Sequence, residues 1–306
     1  MGKPPQFIRV LSDGRPGHEN QSIGLAEAIV RRTGARLEIV RFAKGDLLWR
    51  RYPKAVAGDG GVDLLIGAGH KTHLTLRLAA MKLGAKCVVV MTPTWPLWFF
   101  DLCLAPWHDL PRGLLKNRRI IHTTGALNRV PETIQPKQTR GIVLVGGPSQ
   151  HHGWDAEKLI PAIQTVIAAR PELQWTIGDS RRTPSDFLAR LQNAGCRAEI
   201  VPHAKTTPDW LPAQLLAAEE AWVTEDSISM IFEAVTARAR TGLLPAPVIQ
   251  PDGRVRQSIV QLVSEGFATP FAEWESKNRS LPPAKRLHET GRCADLVLGR
   301  LFPKSF

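Results

Sequence analysis

The chain has 306 residues, 43% of them hydrophobic and 22% charged, enough to bury one large or two medium cores and unlike a disordered or fibrous sequence. Cys87, Cys103, Cys196 and Cys293 stand far apart, with no CxxC pair and no Cys/His group at zinc spacing, so they read as small buried side chains in a reducing compartment. Forty Lys+Arg against 28 Asp+Glu leave +12, but the arginines are dispersed and no basic helix carries interleaved aromatics; this argues against nucleic acid and leaves anionic membrane surfaces and phosphorylated small molecules as partners.

Met1 to Gln6 carry no signal-peptide core or transit helix, and no run of about 18 apolar residues could span a membrane. Phe7 to Leu11 reads as a buried strand ending in Ser12-Asp13-Gly14-Arg15-Pro16-Gly17-His18-Glu19-Asn20-Gln21-Ser22. A helix follows, capped by Asn20 or Ser22, and the polar residues crowd the carboxyl end of the strand, where open α/β sheets bind ligands. Arg36 to Phe42, Val62 to Ile66 and Lys86 to Met91 read as further strands, with a helix over Thr72 to Leu83. The third strand ends in Gly67-Ala68-Gly69-His70-Lys71-Thr72-His73, which is neither a dinucleotide fingerprint nor a Walker loop. It is either a solvated turn or a second loop offering His70, Lys71 and His73 to an anionic or hydroxylated ligand.

Thr92 to Phe100 is rich in proline and aromatics; it packs under a loop or touches lipid or sugar, with packing favoured. Strands are expected from Asp101 to Ala105, ending at Pro106-Trp107-His108-Asp109, and from Arg119 to Thr123. Asn128 to Arg140 is polar and aperiodic and reads as an interdomain linker, which divides the chain into domains of residues 1–130 and 131–306. The strand–helix alternation then restarts. Gly141 to Val145 leads into Gly146-Gly147-Pro148-Ser149-Gln150-His151-His152 and a helix to about Ala169; Leu173 to Ile177 leads into Ser180-Arg181-Arg182-Thr183-Pro184, where Thr183 and Asp186 have capping-box spacing. After strands at Ala198 to Pro202 and Ala221 to Thr224, Glu225-Asp226-Ser227-Ile228-Ser229 opens a helix through Ala239. Such a turn leaves backbone N–H groups and a positive dipole end facing outward, suited to a phosphate, with Glu233 one helical turn beyond Ser229. Thr241 to Pro245 is the next strand, and helices at about Val255 to Glu265 and Ala284 to Leu301 complete the chain, the last expected to pack back across the first domain. The pattern predicts an α/β protein of two Rossmann-like domains with parallel sheets facing a cleft.

The segments Ser12 to Ser22, Gly146-Gly147-Pro148-Ser149 with Trp154-Asp155, Ser180 to Pro184 and Thr224 to Met230 resemble the signature segments of the Elm-type mitochondrial-fission family and its bacterial homologues. The resemblance covers nearly the whole chain and implies a GT-B architecture like that of nucleotide-sugar glycosyltransferases. It implies a nucleotide sugar held by the second domain, through Gly146, Gly147, Ser149, Ser180, Arg181, Arg182, Asp226, Ser227, Ser229 and Glu233. Ser227 and Ser229 match the turn at the diphosphate, and Glu233 the glutamate on the ribose. Gly14, Arg15, Gly17, His70 and Lys71 fall on the acceptor side, and the first loop departs from the pattern in having Arg15 and Pro16 where consecutive glycines would stand.

Glycosyl transfer needs a base at the acceptor hydroxyl and positive charge at the departing diphosphate. His18, Glu19 or Asp13 could be the base, with His18 favoured. No Asp-x-Asp pair occurs, so leaving-group charge falls to the helix start at Ser227 to Ser229 and to Arg181 or Arg182, with no metal and no cofactor expected. The expected acceptor is a glycan or a lipid-linked, cell-envelope molecule, and the expected location is cytoplasmic and peripheral on the inner membrane, with Trp95 to Phe100 as a membrane-facing patch. The rival reading is a non-enzymatic scaffold that recruits a dynamin-type GTPase, as plant members of the family are associated with. An epimerase of the extended dehydrogenase type would need GxGxxG after the first strand and Tyr-x-x-x-Lys, and neither is present.

Overall fold

The computed structural model describes the chain apart from residues 1–2, 44, 59–60, 107–108, 110–116, 134, 252 and 304–306. The end of the fifth strand expected at Trp107 and His108 therefore lies outside the described residues. The chain forms two compact units, Met1–Arg129 with His288–Phe306, and Val130–Leu287.

Unit 1 runs β1 (Phe7–Ser12), α1 (Pro16–Thr33), β2 (Arg36–Arg41), α2 (Leu48–Val56), β3 (Leu64–Ala68), α3 (His70–Leu83), β4 (Lys86–Val90), β5 (Leu102–Pro106) and β6 (Ile120–Thr123). Unit 2 runs β7 (Gln138–Leu144), α4 (Ala156–Ala169), β8 (Gln174–Gly178), α5 (Phe187–Asn193), β9 (Glu199–Val201), α6 (Trp210–Ala217), β10 (Ala218–Thr224), α7 (Ile228–Thr236), β11 (Arg240–Leu244), α8 (Arg254–Ser264), β12 (Thr269–Pro270) and α9 (Phe271–Ser276). The last helix, α10 (Glu289–Leu301), returns to unit 1. Each unit is built on a six-stranded sheet whose paired strands are parallel, ordered β2-β1-β3-β4-β5-β6 and β12-β11-β10-β7-β8-β9.

Strands buried on both faces explain the near-continuous apolar runs, and helices cover each face. In unit 1, α1 and α10 meet one face through Ile23, Leu25, Ile29, Cys293 and Val297, while Ala55, Leu76, Ala79 and Phe100 fill the other. Arg9, only 2% exposed, is the polar interruption of β1. Each nitrogen of its guanidinium donates: Nε to Glu38 at 2.8 Å, and the two terminal nitrogens to the Ala55 and Ala57 carbonyls at 2.7 Å each. It thereby ties β1 to β2 and satisfies carbonyls at the end of α2. That helix is invisible to pattern reading, because Pro53 sits inside it and glycines follow it. In unit 2, Trp175 and Trp222 lie over Gly141 and Gly242 of the neighbouring strands, where a Cβ would collide with each indole.

Two expected helix starts are corrected. Helix α1 begins at Pro16, whose ring presets φ for the first turn, so His18, Glu19, Asn20 and Gln21 are helical and neither Asn20 nor Ser22 caps the helix. The Ser22 hydroxyl instead donates back to the His18 carbonyl at 2.8 Å. Helix α5 begins only at Phe187, because the Thr183 hydroxyl is occupied elsewhere, accepting from Ser180 N–H at 2.9 Å and donating to the Gly146 carbonyl.

Candidate functional site

In unit 1 the chain leaves β1 to one side for β2 and then crosses to β3 on the other, so the loops after β1 and β3 lie side by side at a topological switch point. In unit 2 the same reversal falls between β7 and β10. Ligand-binding crevices of open α/β sheets form at such points; the predicted site residues sit on these loops, on the loop after β8 and in the helices α1, α3 and α7 that follow the loops.

At the switch point of unit 1, His18 Nδ1 lies 3.0 Å from Asp13 Oδ2, and Asp13 Oδ1 accepts the Arg15 N–H at 3.1 Å. Gly69, with φ +82°, is the N-cap of α3 and passes so close that a Cβ there would strike the His18 ring and the Asp13 carboxylate. Only glycine fits both the backbone angle and the space. Glu19 is committed to Ser12 Oγ at 2.7 Å and to Arg41 at 2.6 Å. Of the three candidate bases, then, Glu19 is paired away, Asp13 orients the imidazole, and His18 presents the remaining ring nitrogen. Gly14 and Arg15 are exposed before α1, and Gly17 lies in its first turn.

His70 and Lys71 are exposed on the first turn of α3, where the Lys71 carbonyl accepts from Arg51 at 2.7 Å. His73, expected beside them as an available ligand, is instead 2% exposed, packed edge-on against Phe100 at 5.4 Å and 3.4 Å from the Thr94 hydroxyl. Burial first, and then the charges of His70 and His18, push its pKa down to about 4, so it is neutral at physiological pH. The aromatic segment divides: Phe100 is buried, while Trp98 is 66% exposed and stacks on Phe99 at 4.0 Å. Pro93, Trp95, Pro96, Leu97 and Trp98, with Arg119, line an apolar pocket of about 410 Å³.

At the switch point of unit 2, three loops converge on Asp226, whose side chain is 1% exposed. Its Oδ2 accepts the Gly147 N–H at 2.9 Å and Arg182 Nη2 at 2.8 Å. Gly146 N–H donates to Thr224 Oγ1 at 2.8 Å, and Arg182 Nη1 also donates to the Gly147 carbonyl at 2.7 Å. A Cβ at Gly146 would strike the Asp226 carboxylate, and one at Gly147 the Arg182 backbone, so the glycines are required by loop approach. Ser149 Oγ accepts the N–H groups of His151 and His152 at 3.2 and 3.1 Å, and Ser180 belongs to the turn closed by Thr183. Arg181 is exposed beside it. Ser227 is the N-cap of α7 with no side-chain cap bond, Ser229 follows in the first turn, and Glu233 is buried on the next turn. The helix start thus offers backbone N–H groups, and Arg182 a partly exposed cation, on one loop cluster.

Several residues at this edge carry no local sequence signal. Asp179 Oδ1 lies 3.1 Å from His203 Nδ1, a pairing across 24 residues. Glu225 is 3.6 Å from Arg256, and burial pushes its carboxyl up against the opposing pull of that arginine. His152 is 1% exposed, with neither ring nitrogen hydrogen-bonded. Adjacent histidines in a loop read as solvated, and only the packing of the 149–153 turn against Pro247 to Gln250 buries one of them.

The fold recurs in UDP-N-acetylglucosamine 2-epimerases and in a glycosyltransferase. A candidate UDP-N-acetylglucosamine 2-epimerase from Listeria monocytogenes is 12% identical at a TM-score of 0.62, covering 98% of this chain and 99% of that one. The Methanocaldococcus jannaschii UDP-GlcNAc 2-epimerase, solved with UDP-GlcNAc and UDP, gives 12% and 0.51 over 95% and 99%. The calicheamicin glycosyltransferase CalG4 gives 13% and 0.51 over 97% and 98%. At these identities the likeness is one of fold, the GT-B type shared by glycosyltransferases and epimerases. No curated protein matches the chain. The family model described as mitochondrial fission ELM1 matches residues 16–301, and the chain belongs to that family.

Proposed function

We propose that the protein is a glycosyltransferase that binds a nucleotide sugar in unit 2 and transfers the sugar, without a metal, to a lipid-linked or cell-envelope glycan acceptor. The observation that carries this reading is the convergence of Gly146-Gly147, Arg182 and the α7 start on one switch point. Arg181, Arg182 and the N–H groups near Ser227 to Ser229 take the charge of the departing diphosphate, and Glu233 accepts from the ribose. In unit 1, Asp13 holds His18 Nδ1, and Nε2 takes the proton of the acceptor hydroxyl as its oxygen attacks the anomeric carbon and the bond to the diphosphate breaks. Gly14, Arg15, Gly17, His70 and Lys71 line the acceptor side, and the apolar pocket at Trp95 and Trp98 suits a lipid-linked acceptor at an inner-membrane surface.

Family membership favours a second reading, a scaffold for a dynamin-type GTPase, and the exposed Leu47 and Trp49 of unit 1 would serve it. Calorimetry with UDP, GDP, CMP and ADP, with and without Mg²⁺, separates the two. Metal-independent binding of one nucleotide, weakened at least about tenfold in Glu233→Gln, supports the transferase. No binding by the folded protein overturns it in favour of the scaffold. Incubation with UDP-GlcNAc alone adds a check, since conversion of the sugar without an acceptor would mark an epimerase.

A further inference from the structure

His152 is buried with both ring nitrogens lacking a hydrogen-bond partner, and Asp226, within its electrostatic reach, has a buried Oδ1 in the same condition. Leaving such groups unsatisfied is costly, and a pair of them beside a candidate ligand site calls for a function. The backbone of the histidine is pinned: Ser149 Oγ accepts its N–H, Gly153 N–H donates to the Pro247 carbonyl at 2.7 Å, and Ile249 N–H donates to the His151 carbonyl at 2.9 Å. Asp226 is held differently. Its charge is balanced by Arg182, whose side chain is 39% exposed and is therefore the member of the group that an incoming anion can reach.

We propose that an anionic ligand group draws Arg182 off Asp226, and that the released carboxylate turns to His152, which takes one proton from solvent, so that anion binding in unit 2 is coupled to proton uptake. The inference rests on the phosphate-binding role given to this switch point above. Before binding, the imidazole is neutral, because burial holds its pKa below the usual histidine value; Asp226 pulls the other way, while His151, Arg256 and Arg182 add to the lowering. Arg256 is itself 3.6 Å from Glu225, and His151 Nδ1 lies 2.7 Å from Gln250 Oε1, so neither is a free counter-charge for Asp226. Removing Arg182 both takes away a repelling cation and exposes the attraction of Asp226, and each change favours the imidazolium. One proton moves from solvent to His152, and no covalent bond of the ligand is altered.

The test is calorimetry of UDP, and of inorganic pyrophosphate as the phosphate group alone, at pH 7.5 in buffers of different ionisation enthalpy. The difference between wild type and His152→Asn cancels the ligand's own titration. We expect the wild type to take up about one proton more than His152→Asn, with His151→Asn behaving as wild type. The imidazole Cε1–H signal of His152 in the wild type should move to its protonated position on adding pyrophosphate, a readout independent of how the variant folds. Binding with equal uptake in wild type and His152→Asn, or a His152 signal that stays neutral, overturns the proton coupling and leaves the nucleotide reading standing. Failure of the folded protein to bind either ligand overturns both.

Discussion

At the amino-terminal edge of the sheet in unit 2, Arg170 pairs with Glu172, Glu219 and the buried Glu220, and Arg240 closes the group through Glu219. At the carboxyl edge of the same sheet, Arg182 shares Asp226 with a backbone N–H and leaves His152 and Asp226 Oδ1 without partners. Both clusters are assembled from loops and strand ends far apart in sequence. The difference is in completion: the first closes its charges among protein groups, whereas the second holds a reachable cation on a carboxylate that has spare capacity. A closed cluster stabilises the fold, and an open one is suited to a ligand.

The comparison breaks most visibly at the closed end. Arg170→Ala leaves Glu220 buried and short of its nearest cation, with Arg240 still 3.6 Å away, so a loss near the low end of the usual range, about 3 kcal/mol, is expected in urea unfolding. UDP affinity of the folded variant should be unchanged, and a parallel loss of affinity would dissolve the distinction between the edges.

Acid provides the next largest effect, at the carboxyl edge of unit 1. His73 has a folded pKa near 4 against about 6.5 unfolded, so between these values the unfolded state binds more protons. Stability is therefore full above pH 6.5 and falls as pH drops toward 4, by up to about 3 kcal/mol from this group. In His73→Asn, stability measured across that window should lose most of this slope; an unchanged slope would assign the acid sensitivity to other groups.

A smaller change is expected for Arg182→Gln, which should weaken UDP binding roughly 10- to 100-fold, that is about 1.4–2.8 kcal/mol, and cost about 1–2 kcal/mol of stability, because the buried Asp226 loses its cation but keeps the Gly147 N–H. A large stability loss with unaltered binding would make this arginine structural, like Arg170. Least of all, Ser149→Ala removes a hydroxyl that accepts two backbone N–H groups and should cost about 1 kcal/mol in thermal unfolding while leaving the His152 turn in place.

Much of the architecture was legible along the chain. Alternation of apolar runs with helical periods, many of the runs ending in glycine or small polar residues, points to two parallel α/β sheets, because a strand buried on both faces must be covered by helices. The polar turns Asp13 to Arg15, Gly146 to Ser149, Ser180 to Thr183 and Glu225 to Ser227 could be read as strand-end loops for the same reason, whereas His18 to Gln21 belong to the helix that follows. What could not be read was partnership. Helix α2 carries an internal proline and owes the satisfaction of its last carbonyls to Arg9, about 46 residues earlier in the chain. Thr183 looks like a cap and is used to tie its turn to Gly146, and His73 looks like a ligand and is buried on Phe100. The sequence by itself determined most of the strands, the glycine turns and the residue types at the sheet edges, all set by local sterics and hydrophobic period, but not the short edge strand β12 or the start of β7 inside the expected linker. Only the tertiary structure decided which carboxylate each arginine and histidine meets, because those pairings are made by strand order, which brings loops dozens of residues apart to one point.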